Sequence, residues 1–192
     1  MGSFFKYMGK ATALARQPAR YNSVVPTITD GAAVGLQVTT AGALVGAGLD
    51  NFYITKCSPG AFAGNTENAR GDDGGTKDGQ ALFTVTGDVL LGVYGVCTTL
   101  LEGDTSQVSV GLTGNTALLL PVTTATEIDA NEIFMDATPA IGKPIDSLNF
   151  YVVGNGVDVI ETIATANITA GDMYYVCLWK PLTLGSGVVS AI

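Results

Sequence analysis

The chain has 192 residues, of which 47 % are hydrophobic and only 14 % charged, against about a quarter charged in an average globular chain. That length suits one domain with a sizeable core, and so little ionised surface predicts faces that are covered by neighbours. Histidine is absent altogether, which excludes Ser-His-Asp and Cys-His catalytic pairs and any Cys/His zinc site.

Residues 1–29 read as an N-terminal extended basic arm. Lys6, Lys10, Arg16 and Arg20 precede the first acidic residue, Asp30, so the arm carries +4. The remainder sets five cations against seventeen acids, a net −12. Phe4, Phe5, Tyr7 and Tyr21 are interleaved with those cations. The eight residues are the candidate partner-binding set, since a basic arm is attracted to the acidic face of a neighbouring copy or another protein. Fixing such an arm costs roughly 30–60 kcal/mol of backbone entropy, which only docking on its own body or on a neighbour can offset. Basic residues among aromatics also suit single-stranded nucleic acid, but a strongly acidic body repels polyanions. A protein partner is therefore expected, with no nucleic acid and no membrane. The uncharged stretch 31–49 is too rich in Gly, Ala and Thr for a membrane span.

From residue 30 onward short apolar runs alternate with turn signals, which predicts an all-β domain, a β-sandwich or jelly roll, over residues 30–192. Strands are expected at 35–40 and 52–56, then a long polar surface loop over 58–80. Further strands are expected at 81–86 and 88–101, the latter with Gly92 and Gly95 marking bulges or close backbone approach. Residues 107–113 alternate, with Val108, Val110 and Leu112 on one face, as in a half-buried strand. Strands at 116–122, 132–136, 148–153 and 157–165 follow, with Gly154-Asn155-Gly156 expected as a hairpin turn. Residues 173–181, MYYVCLWKP, are apolar on both faces apart from Lys180, so cover is expected on both sides.

Little in the chain suggests chemistry. A P-loop, a zincin helix and a dinucleotide fingerprint are all missing. Cys57, Cys97 and Cys177 read as buried free thiols in a reducing compartment. Glu127, Asp129, Glu132 and Asp136 are the densest acidic cluster, open to a two-carboxylate hydrolase but explained equally by a solvated edge. Asp72, Asp73 and Asp78 on a glycine-rich turn suit calcium, although Lys77 lies among them and the spacing is not that of an EF-hand; a solvated loop accounts for them. No cofactor and no metal are expected. Arg70-Gly71-Asp72 spells an integrin-binding tripeptide that three residues reach by chance.

Three stretches carry a resemblance: FTVTGDVLLGVYGVCTTLL (residues 83–101), VGLTGNTALLLPVTTATEIDANEI (110–133) and ANITAGDMYYVCLWKPLTLG (166–185). Over residues 80–190 the chain resembles structural proteins of tailed-bacteriophage virions and is most similar to capsid decoration or cement proteins. The resemblance implies a sandwich or jelly roll, commonly trimeric, made in the bacterial host cytoplasm and seated on the outer capsid surface. Its implied partners are the major capsid protein and copies of itself, and its implied role is structural rather than enzymatic. A tail, portal-adaptor or head-fibre component is the alternative, with a carbohydrate- or receptor-binding module behind it.

Overall fold

The structure, a computed structural model, describes residues 52–192 together with the short strand at 33–34. The described chain is nearly all β and forms two antiparallel sheets. Its strands are β1 (Ala33–Val34), β2 (Tyr53–Cys57), β3 (Ala81–Thr86), β4 (Val89–Glu102), β5 (Gln107–Leu112) and β6 (Asn115–Thr124). They continue with β7 (Ile133–Phe134), β8 (Tyr151–Val153), β9 (Asp158–Ala164), β10 (Ala170–Pro181) and β11 (Gly187–Ser190).

Sheet 1 has the order β1-β2-β10-β4-β7, with β8 pairing farther along β4, and sheet 2 has the order β11-β3-β9-β5-β6. The chain changes sheet repeatedly, so most strands pair with partners distant in sequence. The long β10–β4 pairing runs from Met173 opposite Cys97 to Pro181 opposite Val89 without a slip. Its regularity follows from glycines where the strands crowd. A Cβ on Gly95 would lie 2.6 Å from the Met173 sulfur, and one on Gly92 would lie 2.9 Å from the Asn149 carbonyl oxygen. Close approach, rather than a bulge, is what both glycines supply.

Period-two alternation places the core. Along β10, Met173, Tyr175, Cys177 and Trp179 point at sheet 2, while Tyr174, Val176, Leu178 and Lys180 point outward. Phe83, Leu91, Leu101, Phe134, Leu120 and Tyr175 are fully buried between the layers, each large apolar side chain contributing about 1.5–3 kcal/mol. Trp179 Nε1 donates to Thr55 Oγ1 at 3.0 Å, and the same hydroxyl donates to the Val188 carbonyl at 3.0 Å. This relay ties β10 and β2 of sheet 1 to β11 of sheet 2, and Tyr53 stacks on the indole with ring centroids 4.6 Å apart.

Two expectations are corrected. Gly154-Asn155-Gly156 is not a hairpin turn, because β8 pairs with β4 in sheet 1 whereas β9 pairs with β3 and β5 in sheet 2. It is a crossing between layers, held where Asn155 Oδ1 accepts from Gly87 N at 2.8 Å and Gly156 N donates to Val85 O at 3.1 Å. The polar stretch after β2 is not simply a surface loop: Phe62 is 3 % exposed and Arg70 is 3 % exposed. The expected strand at 35–40 lies outside the described residues.

Candidate functional site

The most unusual chemistry in the body is a buried ion pair. Glu161 occupies an inward position of β9 between Val159 and Ile163, where alternation leaves only 1 % of it exposed. A charge there is tolerable only if it is paired and hydrogen-bonded. Arg70, carried by the segment between β2 and β3, meets it fork to fork: Nε to Oε1 at 2.9 Å and Nη2 to Oε2 at 2.7 Å. Tyr175 of β10 donates its hydroxyl to Glu161 Oε2 at 2.6 Å. The other guanidinium nitrogen donates to the Gly60 and Met173 carbonyls and stands 3.7 Å from Asp172 Oδ1. Phe62 lies under the guanidinium, its ring centroid 3.7 Å from Arg70 Cζ.

The cluster therefore bonds sheet 1, sheet 2 and the connecting segment to one another. Burial works against the Arg70 charge, and the charge and hydrogen bonds of Glu161 more than restore it, leaving the guanidinium above its usual range. Burial, followed by the Glu161 charge, pushes the Tyr175 phenol well above its ordinary value. The segment is further seated by backbone: Phe62 N donates to Gly171 O, Gly64 N to Ile168 O, and Ile168 N to Gly71 O, all at 2.8–2.9 Å. Gly71 has φ +98°, and a Cβ there would lie 2.3 Å from the Ile168 carbonyl oxygen, so only glycine fits.

With its side chain 2 % exposed, Arg70 is not available to a receptor, and the Arg70-Gly71-Asp72 tripeptide is a piece of the fold. Nor do the neighbouring carboxylates converge. Asp72 accepts from Asn68 N at 2.8 Å, Asp78 accepts from Ile163 N at 2.9 Å, and Asp73 N bonds to Asn167 Oδ1 at 2.9 Å. Asp72 stabilises its turn as a side-chain acceptor, and Asp78 tethers the segment to β9. Among the described residues no group of three or more His, Cys, Asp and Glu is placed to hold a metal.

The second acidic cluster is likewise dispersed. Glu132 Oε2 accepts from Asp129 N at 2.9 Å, Glu127 lies on a 3-10 turn, and Asp136 turns away to Lys143 Nζ at 2.9 Å. Partial burial raises the Asp136 carboxyl, and hydrogen bonds from Lys143 and Thr138 outweigh it, holding the group below its usual value. Cys57, Cys97 and Cys177 are all buried. Burial, helped by the charges of Glu132, Asp129 and Asp172, pushes the Cys97 thiol up to about 11, and burial alone raises Cys177 further. Thiols so shifted are protonated at neutral pH and are poor nucleophiles.

What the surface does offer is apolar. The outward face of sheet 1 carries Phe52 and Phe150 with ring centroids 4.7 Å apart. Lys180 Nζ lies 4.3 Å from the Phe52 centroid, and Lys56 Nζ lies 4.5 Å from that of Tyr174. Where β8 and β10 end beside the start of β4, Val152 is 70 % exposed, and in the turn that follows β10 Leu182 is 50 % exposed and Leu184 fully exposed. Sequence reasoning placed its site residues elsewhere: Phe4, Phe5, Lys6, Tyr7, Lys10, Arg16, Arg20 and Tyr21 all lie outside the described residues.

The described residues thus define a nearly all-β body of two antiparallel sheets. No protein-family model, curated protein or solved structure matches it.

Proposed function

We propose that this chain is a structural, non-enzymatic virion protein of a tailed bacteriophage, a capsid decoration or cement protein. It binds the outer shell and stabilises capsomer contacts through oligomerisation and its basic arm. The observation that carries this reading is the apolar end of sheet 1. Val152, Leu182 and Leu184 stand in solvent on a body with few charges, and exposed apolar surface of this kind marks protein contact. The acidic body and basic arm supply the polar half of such a contact. The two-sheet fold is compatible with the resemblance to decoration proteins. Each copy adds a modest contact energy, and many copies together resist internal pressure by multivalency.

The test is reconstitution on particles lacking the chain. Such particles should lose their genome at a lower temperature than complete ones, and adding purified protein should restore the difference. Removing residues 1–25 should leave a folded body that restores it poorly. Equal heat stability with and without the chain would refute the cement role, and full rescue by the truncated chain would remove the arm from it.

A further inference from the structure

The segment between β2 and β3 belongs to neither sheet, and its tethers are its own. Within it, turns follow one another: the N–H groups of Thr66, Ala69, Asp72, Gly75 and Asp78 each donate to the carbonyl three residues back. Ala63 N also donates to Arg70 O at 2.8 Å, and Asn68 Oδ1 accepts from Thr76 N at 3.1 Å. These bonds join residues 61–78 into one body. Apart from bonds to the adjoining Gly60 and Gln80, every hydrogen bond and ion pair of that body among the described residues lands between Glu161 and Met173. The β2–β10 pairing uses Tyr175 to Trp179, and the β3–β9 pairing uses Asp158 to Ile160. Losing the tethers therefore leaves both sheets with their ladders.

Burial points the same way. Of residues 61–78 only Phe62, Gly64, Arg70 and Gly71 are buried, so one large apolar side chain is the whole hydrophobic hold. A region with few buried apolar contacts opens ahead of the body it sits on. Its two ends are also free to turn. Gly60 has φ +88° and Gly79 φ +74°, and a Cβ on either would meet nothing within 4 Å, as hinge positions require. Arg70 alone reaches between the layers, and Phe62 lies on its guanidinium.

We propose that residues 61–78 form a strap that swings away on Gly60 and Gly79 as a single unit while both sheets stay closed, with Arg70 as its latch. Opening carries Phe62 and the guanidinium out together and admits water to Glu161 and Tyr175.

Hydrogen exchange of the full chain, read amide by amide, tests it. The tethered N–H groups of Phe62, Ala63, Gly64 and Ile168 should share one protection factor, at least about a hundredfold below that of the β4–β10 ladder. Arg70→Lys keeps the charge and loses the fork, and it should lower that shared protection by about tenfold or more. Leu91 is fully buried opposite Trp179, at the other end of the ladder from Met173. Leu91→Val should speed exchange in the ladder and leave the four amides unchanged, because the sheets stay folded in the open state. Tethered amides as protected as the ladder, a response to Leu91→Val equal to the ladder's, or no response to Arg70→Lys would overturn the proposal. Should Arg70→Lys not fold, Phe62→Leu removes the ring beneath the guanidinium and carries the same test, and unchanged protection would contradict the latch.

Discussion

Two ion pairs in this protein use the same chemistry in opposite surroundings. Arg70 and Glu161 leave 2 % and 1 % of their side chains exposed, whereas Lys143 and Asp136 leave 13 % and 40 %. The first pair lies between the layers, is bidentate and is completed by Tyr175 and two backbone carbonyls. The second lies on the surface, where water screens the attraction and the long lysine stem pays its own ordering entropy. What matters for the fold is therefore how much water each charge has left behind, since a stranded buried charge has nothing to replace its lost solvation.

The largest effect should come from breaking the buried pair on one side. Glu161→Gln or Arg70→Met alone is expected to cost about 3–5 kcal/mol in urea unfolding. Arg70→Met combined with Glu161→Leu should cost well under the sum of the single changes, because no charge is then stranded. Additive losses would show that the pair does not act as a unit.

Tyr175→Phe should come next, at about 1–3 kcal/mol, by removing the hydroxyl donated to Glu161. It also sharpens the pH behaviour. The folded-state values of Tyr175 and Cys177 are raised, so their contribution is complete below the unfolded values, about 10 and 8.5. It is lost as pH climbs through those values toward the raised ones. Stability should accordingly fall above about pH 9, and Tyr175→Phe should flatten the part of the decline near pH 10. An unchanged alkaline limb in that variant would place the titration elsewhere.

Lys143→Ala should cost less than about 1 kcal/mol, as exposed pairs do. Asp136 is held below its usual value, so its small contribution exists above the unfolded value near 4. It disappears as pH falls through the lowered folded one. Asp136→Asn should trim the acid limb slightly, and a loss as large as that of Glu161→Gln would erase the contrast between the two pairs.

Much of the fold was legible because β-structure writes its period into the sequence. Residues 81–86 form β3 as read, and β4, β5, β6, β9 and β10 fall within a few residues of their expected ends. β11 was not foreseen: it follows a Gly-Ser-Gly turn, and two valines make too short a run to announce a strand. The error at 154–156 has a different origin. Local turn chemistry fits a hairpin and a layer crossing alike, and only the pairing of β8 with β4 separates them.

The buried cluster was legible only in part. Alternation along DVIETIA puts Glu161 on the same face as Val159 and Ile163, and an acid on an apolar face demands a cation. Five body cations were available, and Arg70 lay in a stretch whose Gly and Asp content reads as solvated. Nothing in composition shows that such a segment folds back over its own sheets. The aromatic face escaped notice for a similar reason, since Phe52, Phe150 and Tyr174 are brought together only by the order of strands in sheet 1.

The number of chains per virion tests the central claim most directly. Quantitative gel analysis of purified particles, scaled to the major capsid protein, should give on the order of hundreds of copies, as a shell held by many modest contacts requires. About a dozen copies or fewer would contradict a shell role and point to a tail, portal or fibre component.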